Sequence, residues 1–294
     1  MVRYDDPVNP LPGLGYGMRT LKQTLNRALA SRGYEITRTT GLRGSMPPTG
    51  VLFDNFVNLT KAYEQRRRES GAVIPASDTR PQLLARLRGT LPSEAYYIVD
   101  ALAMCGHVEG DVCEFGVAQG ETSALIADEI RHREDKVLHL FDSFEGLPTP
   151  SAHDELKDDI WALGSIEAYS GTMSFPERMV RARLAAIGFP PERFVVHKGF
   201  IERLIDSGAT LPQWVSFAYL DFDFYEPTRI ALDFLHKVTT PGAVIIVDDY
   251  DFFSTGPKKA VDEFVTGEAS DEPSYECVVP DARYGHFAVL TRMA

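Results

Sequence analysis

Positive charge is what this sequence has least of. Its 294 residues carry 30 Lys and Arg against 42 Asp and Glu, a formal net charge of −12. Sequence-independent nucleic-acid binding needs clustered basic residues to displace counterions, so a nucleic-acid partner is not expected. An anionic substrate would also be repelled at long range unless a basic patch or a bound metal offset the field. Cysteine is scarce as well: Cys105, Cys113 and Cys277 show no paired spacing, which gives no disulfide framework and points to a reducing compartment. Cys113 lies in an apolar run and reads as a small buried hydrophobe. No apolar stretch approaches the roughly 18 residues that span a bilayer, and the polar N-terminus lacks a signal-peptide core. A cytoplasmic location without a transmembrane segment is therefore expected. The seven histidines are scattered, with no convincing ligand pair among them. Gly-x-Gly-x-x-Gly and Tyr-x-x-x-Lys are both missing, which leaves a nicotinamide-dependent dehydrogenase or epimerase without its fingerprint.

What is present is an ordinary globular composition, 44% hydrophobic and 24% charged. Three stretches differ in texture: residues 1–50, 51–108 and 109–294. The first is rich in Gly, Pro and Arg. Within it Met18 to Leu29 places Leu21, Leu25 and Leu29 at helical spacing, with Arg19, Lys22, Arg27 and Arg32 around them. Such a helix can lie on a membrane or an anionic glycolipid, pack on the protein body, or pair with a second subunit in a homo-oligomer. The second stretch reads as helical over Asn55 to Arg68 and Arg80 to Leu102, broken at Gly89-Thr90-Leu91-Pro92. It is expected to cover the substrate.

From residue 109 short β-rich runs alternate with helical patterns. The expected strands are 111–115, 137–141, 194–197, 215–220 and 243–247, with intervening helices over 121–131, 179–187, 201–206, 227–238 and 258–264. The alternation implies an α/β fold with a mostly parallel sheet buried between helices. Two further runs, 275–279 and 286–291, have no helix between them and would add an antiparallel edge, making seven strands.

Two groups of residues carry the chemistry. Asp111-Val-Cys-Glu114-Phe115-Gly116-Val-Ala-Gln-Gly120-Glu-Thr122 ends a strand in a glycine turn that opens a helix, where open α/β sheets bind ligands. The next strand ends in Asp142, placed for ribose hydroxyls, because a carboxylate accepts two hydrogen bonds from a cis-diol. After the third, Gly199 gives room for a flat ring, and Phe200 either stacks on it or belongs to the core. The second group is Asp221-Phe-Asp223-Phe-Tyr-Glu-Pro-Thr and Asp248-Asp249-Tyr250, each closing a strand on the same edge of a parallel sheet. Carboxylates meeting there repel unless a cation or a proton joins them, and oxygen-only ligands suit Mg²⁺ or Mn²⁺. Asp223 or Asp249 can alternatively cap the following helix.

Together these strings resemble the macrocin O-methyltransferase (TylF-type) family of class I methyltransferases over roughly residues 80 to 290. The matching pieces are Glu114-Phe-Gly116 with Gly120, Phe141-Asp142-Ser143-Phe-Glu-Gly-Leu-Pro148, Leu220-Asp221-Phe-Asp223-Phe-Tyr-Glu-Pro-Thr228, Pro241-Gly242 leading into Val247-Asp248-Asp249-Tyr250, and Lys258 to Phe264. The resemblance implies a Rossmann-like fold and S-adenosylmethionine-dependent methylation of a hydroxyl on a sugar of a natural product, a nucleotide sugar or a surface saccharide. It implies that Glu114, Gly116 and Gly120 line the methionine part of the cofactor, with Phe115 and Thr122 in the same turn, and that Asp142 holds the ribose with Ser143 beside it. Asp221, Asp248 and Asp249 would be the metal ligands. Asp221 is the first candidate for the base and Asp223 the second. One departure stands out: many members carry an aromatic-Arg-Gly-Gly string where this chain has Ala118-Gln119-Gly120-Glu121. A catechol or phenol as acceptor would call for a similar metal site, and a non-catalytic nucleoside- or saccharide-binding relative would need no such acids.

Overall fold

The structure is a computed structural model, and it describes residues 49–71, 74–207, 210–267 and 275–294. The helix expected over Met18 to Leu29 lies outside the described residues.

Seven strands form one sheet in the order β3-β2-β1-β4-β5-β7-β6. They are β1 (Asp111–Phe115), β2 (Leu138–Asp142), β3 (Phe194–Lys198), β4 (Val215–Leu220), β5 (Thr239–Val247), β6 (Tyr275–Val278) and β7 (Ala288–Arg292). Strands β1 to β5 pair in parallel, while β7 runs antiparallel to both β5 and β6. Every residue of β4, the strand between β1 and β5, is buried, as expected where helices cover both faces. Alternation sorts the side chains. Val112, Leu138, Leu140, Phe217, Tyr219, Val244 and Ile246 join one core, and Cys113, Phe115, Phe141, Ala218, Leu220, Ile245 and Val247 join the other.

The first core is covered by α1 (Thr49–Ser70), α2 (Arg80–Leu84), α3 (Pro92–Met104), α4 (Glu121–Glu129) and α5 (Glu177–Ala186). Leu91-Pro92 starts α3, because proline suits the first helical turn and its predecessor stays extended. A buried ion pair, Arg66 Nη2 to Asp100 Oδ2 at 2.7 Å, ties α1 to α3. The second core is covered by α6 (Ile201–Asp206), α7 (Tyr225–Val238) and α8 (Gly256–Thr266). No helix among the described residues is long and apolar enough to cross a membrane.

β5 begins earlier than the sequence predicts. Pro241-Gly242 reads as a turn, yet the strand starts at Thr239, with Gly242 at a φ of 87° and a register break between Val215 and Phe217 of β4 absorbing the irregularity.

At the opposite end of the sheet Lys136 is buried, and its ammonium donates to the carbonyls of Val108 and Gly110 and to the Ser216 hydroxyl. That pins the starts of β1, β2 and β4 together. The carboxyl ends are left to be shaped by loops.

Candidate active site

A cleft opens at the carboxyl ends of β1 to β4, where open α/β sheets bind ligands. Gly116, Asp142, Ser143, Gly199, Phe200, Asp221 and Asp223 border it, together with Leu147, Met173 and Glu202. Glu114, Phe115, Gly120, Thr122, Asp248 and Asp249 do not, so the sequence-derived set divides between the wall of the cleft and what lies behind it.

Gly116 has to be glycine. Its φ is 80°, and a Cβ there would sit 1.8 Å from the carbonyl oxygen of Asp221. The Asp221 amide in turn donates to the Phe115 carbonyl at 2.7 Å. Gly120 (φ 79°) precedes α4 and abuts Val180 of α5, where a Cβ would come within 3.0 Å of the backbone. Phe115, expected in the cofactor turn, sends its ring into the core instead, stacked on Phe141 at 4.4 Å. The strand's alternation dictates this, because Glu114 takes the opposite face.

Asp142 locks the glycine turn. Its Oδ2 accepts from the amides of Val117 (2.8 Å) and Ala118 (2.9 Å), and its Oδ1 accepts from Phe144 (2.6 Å). A carboxylate has about four acceptor positions, so one remains for a ligand. Burial raises its pKa and the three amides oppose that rise. Ser143 accepts from the Glu145 amide and donates to the Gly146 carbonyl. Gly199 donates from its amide to the Asp142 carbonyl, and Phe200 lies under the Arg203 guanidinium at 5.4 Å. Thr122 is turned away from the cleft, 3.4 Å from the Thr90 hydroxyl.

Glu114 is only 1% exposed, and neither carboxylate oxygen has a hydrogen-bond partner. Burial raises its pKa to about 8, and the nearby Ser123 hydroxyl, itself outside hydrogen-bonding geometry, offsets only part of the shift. Orphaned buried acids are rare, and one at the end of β1 fits a site built for a cationic or hydrogen-donating ligand.

Next to the cleft the acids converge. Carboxylate oxygens of Asp221, Asp223 and Asp249 lie within 4.8 Å of one another. Asp223 and Asp249 both sit in the left-handed region, with φ of 64° and 57°, which turns their side chains toward Asp221. Burial first, and then mutual repulsion, pushes the pKa of each of the three well above the usual carboxylate range. Asp248, expected in the same trio, has its oxygens engaged here: Oδ2 accepts from the Tyr219 hydroxyl at 2.5 Å and Oδ1 from the Asp249 amide. Asp248 is nonetheless the neighbouring carboxylate that repels Asp221 most, so it too lies close to the group.

Sequence reasoning missed Glu94. This acid is 2% exposed in the first turn of α3, and its Oε1 accepts at 3.4 Å from the Tyr219 hydroxyl that also serves Asp248. Burial, and then the Asp248 charge, drives its pKa well up. The only sequence signal was an acid in a first helical turn, which is commonplace. The histidines also held a surprise: His139 Nδ1 lies 2.9 Å from His197 Nε2, and His139 Nε2 reaches Asp111. Burial, then the neighbouring imidazole, lowers the His197 pKa to about 4, which keeps that ring neutral.

The departure at Ala118-Gln119-Gly120-Glu121 has a local answer. Arg183 of α5 donates from Nε to the Gln119 carbonyl (2.6 Å) and pairs with Glu121 at 2.9 Å, so a guanidinium packs against the turn from another element.

A profile of the macrocin-O-methyltransferase (TylF) family matches residues 54–276. A curated relative from Streptomyces olivaceus, 8-demethyl-8-(2,3-dimethoxy-alpha-L-rhamnosyl)-tetracenomycin-C 4'-O-methyltransferase, is 29% identical over 186 residues, covering 59% of this chain and 68% of its own. Among solved structures, the O-methyltransferase NovP is similar with a TM-score of 0.58 at 20% identity, covering 83% of this chain and 99% of its own. The calicheamicin methyltransferase CalS11 is similar with a TM-score of 0.54 at 18% identity, covering 88% and 98%. At such identities the two structures speak to the fold alone.

Proposed function

The chain belongs to the macrocin-O-methyltransferase (TylF) family and is an O-methyltransferase, and from that premise we propose that it methylates a hydroxyl of a saccharide at a site holding a divalent metal. The sugar would be borne by a natural product, a nucleotide or a surface glycan. The relative that acts on a rhamnosyl group supports the acceptor class. The observation that carries the metal is the meeting of Asp221, Asp223 and Asp249 beside the cleft.

Both absent groups fit the residues present. S-adenosylmethionine supplies a methyl carbon activated on a sulfonium. Gly116, Asp142, Ser143, Gly199 and Phe200 would line its path, with Glu114 behind them as the buried acid able to receive its ammonium directly or through water. A Mg²⁺ or Mn²⁺ ion supplies charge that stabilises crowded carboxylates and acidifies a hydroxyl held near it. Asp221 and Asp249 would be its ligands, with the third from Asp223 or, after a side-chain rotation, from Asp248.

The chain's own groups do the remaining work. Asp221 borders the cleft and would take the acceptor's proton, with Asp223 second in line. Aspartate is a weak base, so a metal's acidification of the acceptor hydroxyl would have to carry much of the step. The cleft must hold oxygen and methyl carbon at about 3 Å in line. Helices α1 to α3, expected to cover the acceptor, bring Glu94 to the acid edge.

The test is methyl transfer to a panel of deoxysugar-bearing and catechol acceptors, with and without chelator, in the wild type and in Asp221→Asn. Transfer to sugars alone, lost on chelation and reduced about 10²-fold or more in the variant, is expected. Undiminished transfer in chelator would remove the metal from the scheme, and preference for catechols would overturn the acceptor class.

A further inference from the structure

Asp154 lies outside every motif considered so far, in the long crossover between β2 and α5. It is 4% exposed, and no salt bridge reaches it among the described residues. A buried carboxylate without a cation is costly unless several donors surround it, and here they do. Oδ1 accepts from the Tyr225 amide at 2.8 Å and from the Ser254 hydroxyl at 3.4 Å. Oδ2 accepts from the Ser151 amide at 2.7 Å and the Ser151 hydroxyl at 2.8 Å.

These donors belong to three separate segments. Tyr225 is the first residue of α7 and closes the loop bearing Asp221 and Asp223. Ser254 closes the loop bearing Asp248 and Asp249, just ahead of α8. Ser151 belongs to the crossover. The packing around the carboxylate is tight, since a Cβ on Gly256 would fall 1.9 Å from Asp154 Oδ1 and 2.5 Å from the Tyr225 nitrogen. Further bonds run alongside: Leu156 bridges Ser254, the Thr255 amide donates to the Glu155 carbonyl, and the Lys157 amide donates to the Phe253 carbonyl. Both helix N-termini favour the negative charge. Only a carboxylate offers enough acceptor positions to serve all three segments at once, because an amide would turn its NH₂ toward one set of donors.

We propose that Asp154 is a positioning residue for the acid cluster, fixing the loop that carries Asp221 and Asp223 against the loop that carries Asp248 and Asp249. The proposal rests on the metal reading for its most sensitive readout, and the experiment separates the two. Asp154→Ala and Asp154→Asn are compared with wild type by Mn²⁺ binding followed by electron paramagnetic resonance, by S-adenosylmethionine titration calorimetry, and by amide hydrogen exchange. A lost helix cap corresponds to roughly tenfold in an equilibrium constant. The expected result is Mn²⁺ affinity about tenfold weaker in the alanine variant and less so in Asp154→Asn, whose carbonyl can still accept from Tyr225. S-adenosylmethionine affinity should stay within about twofold, because none of the cofactor-side hydrogen bonds involves residue 154. Exchange should rise together over 221–228 and 248–257. Parallel loss of both affinities would mean general destabilisation and would overturn the proposal, as would unchanged Mn²⁺ affinity. Should the wild type bind no Mn²⁺, the metal reading fails and exchange decides this one: a rise confined to 150–157 sinks it, and a joint rise in both acid-bearing loops sustains it.

Discussion

Glu114 sits at the end of β1 with both oxygens unpartnered, and burial holds its pKa near 8. Between the unfolded value of 4.5 and that folded value, the unfolded chain has released a proton that the folded chain retains. Its contribution to stability is thus fully present below about pH 4.5 and is lost as the pH rises through 8. Glu114→Gln removes the ionisation. In thermal melts of the ligand-free protein the variant should gain on wild type from about pH 5 to about pH 9, by on the order of 1–3 kcal/mol. The same variant should bind S-adenosylmethionine more weakly. A wild-type and variant pH profile running in parallel would contradict this account of Glu114. The position was legible in the sequence because an acid two residues before a glycine turn ends a strand. Its lack of a partner was not, since that depends on Ser123 one helical turn beyond. Glu94 was illegible for a related reason: its meaning comes from Asp248, on a strand far along the chain.

At the scale of elements, β1, β4 and α6 were read with the boundaries they have, the two strands because their apolar runs are bounded by Gly or Asp. The two-part helix broken near Gly89 was legible from Pro92. Less legible was how loops divide the work. Asp142 was expected to meet a ribose, and it also clamps the β1–α4 turn through Val117 and Ala118. Replacing it with Asn puts an NH₂ group against one set of those amides. Asp142→Asn should cost about 1–3 kcal/mol in denaturant unfolding and weaken S-adenosylmethionine binding by about tenfold or more. Unchanged affinity would show that the clamp does not shape the cofactor site. The approach of Asp223 to Asp221 and Asp249 likewise turns on left-handed backbone at Asp223 and Asp249, which residue type alone does not specify.

At the scale of the whole molecule, an acidic chain concentrates buried carboxylates at one edge of its sheet. Burial holds the carboxyl groups of Glu94, Asp221, Asp223, Asp248 and Asp249 above their ordinary range, and repulsion between neighbouring acids adds to it for all but Asp248. A divalent cation bound only by the folded form should stabilise it by about 2.7 kcal/mol at a hundred times its dissociation constant. Melting curves in Mg²⁺ or Mn²⁺, against NaCl of equal ionic strength, should shift upward by several degrees. The shift should vanish in a variant lacking both Asp221 and Asp249. An equal shift in NaCl would reduce the effect to general screening of the net charge. The parallel direction of most strands, and the antiparallel edge, were legible from the alternation of runs along the chain, but their order in the sheet was not. The face on which each helix packs needed the structure.

The wall between cofactor and acids has a consequence for how such a protein diversifies. The Asp221 carbonyl occupies the space a side chain at residue 116 would need, and the Asp221 amide is bonded to Phe115. A side chain at residue 116 would collide with the Asp221 backbone, so descent with modification is confined there to very few sequences. New acceptors should therefore be gained by altering segments that do not share the wall, such as α1 to α3 and the crossover after β2. Relatives with different substrates should keep the turn and the strand ends nearly fixed while those two regions drift.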